Sequence, residues 1–192
     1  MTPNQRMIRL ALSLGRSRMF STRMLIMLPI LLLFIPGMAW GFADPNLQLP
    51  TEQIPETATE TMFLASIGIV FAGTMAAVLI AHDGISRDRM SGVLELRLSQ
   101  PMPRWRQGTV LVLGHWMSIA LPVTFLIIVS MILVGYRSDM WISFSDAIVF
   151  IIAAALVLLW YTVFALLASS IAKEQGSALS LIHISEPTRL TM

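Results

Sequence analysis

An all-α, polytopic membrane bundle is the fold class this chain predicts, and three observations carry it. Of 192 residues, 56% are hydrophobic and only 12% are charged, with a mean hydropathy of +0.75. Soluble domains carry about 25% charged residues, so much of this apolar surface must meet lipid. The apolar residues gather into four long runs, and the basic residues fall between those runs in an alternating pattern.

The runs cover residues 24–42, 61–81, 109–135 and 147–172. Crossing a hydrocarbon core as a helix takes about 20 residues. Only helices and closed barrels satisfy their backbone in lipid, and barrel strands are short and alternate. The first run follows some twenty residues of basic chain and lacks a small-residue cleavage site, so it reads as a retained span.

Ahead of it, Met7, Ala11 and Leu14 fall on one helical face and Gln5, Arg9, Ser13 and Arg16 on the other, which predicts an N-terminal helix lying at the membrane interface. Arg6, Arg9, Arg16, Arg18 and Arg23 precede the first run, and Arg87, Arg89, Arg97, Arg104 and Arg106 separate the second from the third. Residues 43–60 hold no Lys or Arg. Basic residues accumulate on the cytoplasmic side, so the N-terminus and residues 82–108 are expected in the cytoplasm and the proline-containing 43–60 segment outside. The expected location is the cytoplasmic (plasma) membrane.

The interiors of the spans carry no Asp, Glu, Lys or Arg. Such groups mark ion paths and proton relays, so a proton- or sodium-coupled carrier is disfavoured. Without cysteine there is no disulfide or thiolate chemistry. His82 beside Asp83 lacks the third ligand that zinc catalysis needs and reads as a span-end cap, and His115 reads as a histidine that is interfacial or satisfied by a neighbouring carbonyl. Gly68, Ala72 and Ala76 recur every four residues, a stripe for close helix packing.

Residues 82–108 are longer than an inner turn requires. Met90, Leu94 and Leu98 share a helical face, although Leu94, Leu96 and Leu98 also alternate as a strand would. The order Asp88-Arg89, Gly92-Val93-Leu94-Glu95, Leu96, Leu98, Ser99, Pro101 and Arg104 resembles the inner loop of the type-2 ATP-binding-cassette permeases. Val93 stands where that family usually has Thr, Met90 where a charge is frequent, and no Gly-Lys follows Arg104. The resemblance implies a coupling helix gripped by a separate cytoplasmic ATPase, with Arg87, Asp88, Arg89, Glu95 and Arg97 at its rim. Met90, Leu94 and Leu98 would anchor it, and Gly92, Pro101 and Arg104 belong to the same motif.

The resemblance further implies an exporter, a second permease copy or paralogue, and ATP and Mg bound on the ATPase. No cofactor, metal or catalytic residue is expected in this chain, which has no GxxxxGK[ST] phosphate loop, and no nucleic acid is expected as a partner. The competing class is a non-transporting membrane scaffold or assembly factor. The family has six spans where four are visible here. Residues 179–189 resemble the translation of an adapter used to prepare sequencing libraries. The expectation is therefore a permease domain over 1–178, truncated at its C-terminal end, with 179–192 a non-native tail.

Overall fold

A computed structural model describes residues 3–44, 55–99 and 102–171, the side chains of Pro3, Arg97 and Leu98 excepted. Every regular element among them is helical. Four helical runs are long and apolar enough to cross a membrane, and the protein is an all-α, multi-pass membrane bundle. Pro101 and residues 172–192, including the 179–192 tail, lie outside the described residues.

Helix α1 (Pro3–Met19) ends at a sharp corner, where Ser21 caps α2 (Thr22–Phe42) by accepting from the Met24 N–H at 3.4 Å. Along α2 the buried residues Met24, Met27, Leu31, Ile35 and Ala39 follow helical spacing, so one stripe faces the bundle and the rest faces outward. Helix α3 (Ala58–Gly68) starts at Thr57, whose hydroxyl accepts from the Glu60 N–H at 3.1 Å. The Glu60 carboxylate reaches back to the Glu56 N–H at 2.8 Å, a close variant of the capping box.

A π-helical turn, Ile69–Gly73, separates α3 from α4 (Thr74–Ala81) within the second span. Such a turn leaves backbone carbonyls to be re-satisfied, and the Thr74 hydroxyl donates to the carbonyls of Val70 and Phe71. Gly68, Ala72 and Ala76 are all buried. At Gly68 the approach of α2 is closest: a Cβ there would overlap the Phe34 carbonyl oxygen.

Helix α5 (Ser86–Met90) and helix α6 (Val93–Leu98) form the connection to α7 (Arg104–Ser138), and α8 (Phe144–Ile171) is the last helix among the described residues. At 35 residues α7 is about 52 Å long, against about 30 Å of hydrocarbon. Its helix begins at Arg104 rather than at Thr109, where its apolar run starts. Pro103 needs no amide donor at a helix start, and its carbonyl accepts from Arg106 and Gln107. Along this overhang α1 packs on α7 with its Ala11, Leu14 and Gly15 side inward and Arg9, Ser13 and Arg16 outward. A Cβ on Gly114 would meet Leu14 Cδ2 at 2.7 Å, so the two helices meet through glycine. Trp116 Nε1 donates to the Ala155 carbonyl at 2.9 Å and ties α7 to α8.

The bundle has one basic end, where α1, α5, α6 and the start of α7 gather. At the opposite end Arg137 bonds Asp44 at 2.6 Å and stacks 4.2 Å from the Trp40 ring centroid. Trp141 lies against Gly135, and Asp139 ends α7 in the left-handed region at φ 55°, which a short polar side chain tolerates. The Gly68 contact should dominate the stability of the first two spans. Gly68→Ala should destabilise the detergent-solubilised protein by about 1–3 kcal/mol. Gly41→Ala, with open space around its Cα, should stay within about 0.5 kcal/mol; thermal unfolding of the two variants side by side checks the difference.

Candidate functional site

The connection between the second span and α7 is held at its root by all three other spans. His82 turns its Nδ1 to the Leu79 carbonyl of its own helix at 2.9 Å, whereas Asp83 turns inward and is 3% exposed. Arg23, at the start of α2, meets both Asp83 oxygens, Nη1 to Oδ1 at 2.6 Å and Nη2 to Oδ2 at 2.7 Å. This is the two-pronged geometry that guanidinium and carboxylate favour. His82 and Asp83 therefore do separate jobs, and the sequence neighbourhood alone does not reveal the second one.

Gly84 follows, and its lack of a side chain is a packing requirement. A Cβ there would lie 2.8 Å from His115 Nε2 on α7 and 3.0 Å from Leu166 Cδ2 on α8. His115 is fully buried, with its Nδ1 2.9 Å from the Leu111 carbonyl. The N–H groups of Ile85 and Ser86 have no partner within α5, as expected at any helix start. Both donate to the Ser169 hydroxyl of α8 at 3.0 Å. Arg89 Nη2 adds a bond to the Ser170 carbonyl at 2.9 Å. Ser169 and Ser170 were not singled out from the sequence, although two hydroxyls at the end of an apolar span are a signal for interhelical bonding.

Beyond the root, the segment is two short helices rather than one. Gly92 has φ +72°, a left-handed conformation that suits glycine, and it ends α5 before α6 begins. Met90 and Leu94 thus sit on different helices and share no continuous face. Met90 is 60% exposed and Leu96 69% exposed. Leu94 instead lines a cavity of about 310 Å³ with Leu10 and Leu14 of α1 and Val110 and Leu111 of α7. Asp88, expected at the rim, is buried at 7% exposure. Arg87, Arg89, Glu95 and Arg104 are exposed. Leu98 and Arg97 lie on α6, but their side chains, like Pro101, fall outside the described residues.

Electrostatically the root is crowded with cations. Partial burial lowers the Arg18 guanidinium from its ordinary value, the Asp83 and Asp88 carboxylates act to raise it, and Arg87 and Arg23 lower it again. Among the described residues no group of three His, Cys, Asp or Glu side chains is placed to hold a metal ion. The arrangement suits mechanical work: a short exposed element with apolar and charged side chains, anchored at one end to three helices.

Removing Arg23 leaves a buried carboxylate unpaired, the costly way to break such a bridge. Arg23→Gln should therefore speed trypsin cleavage after Arg87 and Arg89. In a double-mutant cycle with Asp83→Asn, thermal unfolding should report a coupling of about 1–3 kcal/mol. Additive effects with unchanged cleavage would contradict the anchoring role.

Comparison with curated proteins and with solved structures found no match for the chain. A family model described as ABC-2 family transporter protein matches residues 16–183, from the last turn of α1 through α8, the connection just described included. With four spans among its described residues and that match, the chain belongs to the ABC-2 transporter family and is a membrane-spanning permease subunit of an ABC transporter.

Proposed function

We propose that the α5–α6 segment is the docking element for a separate ATP-binding-cassette ATPase and that the complete assembly is an exporter. The observation that carries the reading is the combination of an exposed tip and a root bonded to the bundle. Met90 and Leu96 present apolar surface between Arg87, Arg89 and Glu95, the mixture that fits an apolar groove with a charged rim. Asp83, Gly84 and Ser86 meanwhile fasten the segment to α2, α7 and α8. Force applied at the tip reaches three spans without first being absorbed by a loop.

In this reading ATP and Mg bind on the ATPase, and two permease copies or paralogues pair with two ATPases. The basic end of the bundle faces the cytoplasm, since Arg6, Arg9, Arg16 and Arg18 of α1 gather with Arg87, Arg89, Arg104 and Arg106 there. The membrane is then the cytoplasmic one, and Arg137 with Asp44 marks the outer end.

Pull-down of the ATPase subunit from membranes checks this. Leu96→Asp combined with Met90→Asp should lower its retention about tenfold, given the contribution of two buried apolar side chains, and leave the thermal stability of the permease unchanged. Leu94→Asp alone should lower retention less than the double variant, because Leu94 faces the cavity between α6, α1 and α7 rather than the exposed tip. Full retention of the ATPase by the double variant would contradict the assignment.

A further inference from the structure

Three guanidinium groups and a helix start converge on one cavity at the basic end. Arg18 lies near the end of α1, Ser21, Thr22 and Arg23 open α2, and Arg87 belongs to the first turn of α5; together with Ile80 they line a space of about 320 Å³. Arg23 is committed to Asp83 through two hydrogen bonds. Arg18 is half-buried and Arg87 exposed, and neither spends its guanidinium on a carboxylate by hydrogen bond among the described residues.

The start of α2 adds to the positive potential. A helix N-terminus carries a partial positive charge and free N–H groups, and acidic residues normally offset it. In α2 the first turn has no acidic residue and contains Arg23. Partial burial lowers the Arg18 pKa, and Arg87 and Arg23 lower it further against the opposing pull of Asp83 and Asp88. Cations gathered at the positive end of a helix are unfavourable in isolation, and a tetrahedral oxyanion would relieve them. Guanidinium groups match its geometry with paired N–H donors.

The surroundings select the kind of molecule that brings the oxyanion. Ile80, on the last turn of the second span, closes the cavity where it meets the core, and Phe20 beside the cavity is 75% exposed. The cavity thus lies where a leaflet's headgroups meet its acyl chains. We propose that Arg18, Arg87 and the start of α2, steadied by Arg23, bind the phosphate group of an anionic phospholipid. A lipid held there bridges the α1–α2 corner to α5 and fastens the root of the docking segment to the leaflet. The proposal does not rest on ATPase docking, because its test contains no ATPase.

Full-length protein in detergent is titrated with phosphatidylglycerol, with phosphatidylcholine and with inorganic phosphate, and bound molecules are counted by native mass spectrometry. Phosphatidylglycerol should be retained over phosphatidylcholine. Arg18→Gln and Arg87→Gln should each weaken that retention about fivefold, and Arg18→Lys should restore most of it. Arg9→Gln, on the exposed side of α1 away from the cavity, should change nothing. Displacement of the lipid by inorganic phosphate, with the same arginine dependence, would keep the phosphate site and identify a soluble phosphate as its occupant. Equal retention by the parent and both Gln variants would overturn the proposal. So would an Arg9→Gln loss as large as the others, since that signals diffuse surface charge.

Discussion

A carboxylate that is 3% exposed at the edge of an apolar span is stable there only while a cation stays with it, and in this permease that cation comes from sixty residues earlier in the chain. The Arg23–Asp83 bridge joins the first span to the place where the second gives way to α5. Buried ion pairs contribute little net stability, but breaking one is expensive, so the bridge acts chiefly as a fixed geometric constraint. The neighbouring contacts depend on it. With Asp83 held inward, Gly84 meets His115 and Leu166, and the first N–H groups of α5 reach Ser169.

That constraint divides the connecting segment into a part that belongs to the bundle and a part that faces outward. Asp83, Gly84, Ser86 and Asp88 are buried, whereas Met90, Leu96 and Glu95 are exposed. Gly92 makes the corner between α5 and α6, and Leu94 returns α6 to α1 and α7. The segment is consequently anchored through α5, while α6 faces α1 and α7 across a cavity. Within the second span the π-helical turn at Ile69–Gly73 lies between this braced end and the close contact of Gly68 with α2.

The fold was legible because its cause is composition: long apolar runs with no interior charge can be little else in lipid, and four such helices are present. The family was legible from the Asp88–Arg104 pattern and is established by the match over residues 16–183. The site was legible as a stretch of chain but not as a shape. Periodicity placed Met90 and Leu94 together because it assumes an unbroken helix, and the positive φ of Gly92 breaks it. Periodicity also cannot tell which neighbour covers an apolar face, and Leu94 turns out to face α1 and α7. Asp83 resembled a local cap because sequence shows only adjacent residues, whereas its partner is brought near by folding. The Ile69–Gly73 turn is encoded in ordinary apolar residues and carries no local mark.

The central claim is that the outer segment and the spans move as one body. The chain contains no native cysteine, so spin labels can be attached at single introduced cysteines. Ser91, at the exposed corner between α5 and α6, and Leu167, on the outer face of α8, report on that rigidity by pulsed electron–electron distance measurement in the assembled transporter. A single narrow distance distribution, unchanged between the nucleotide-free and ATP-bound states, is the result the account predicts. A broad distribution, or one whose centre shifts when ATP binds, would show that the segment swings on its root and would contradict it.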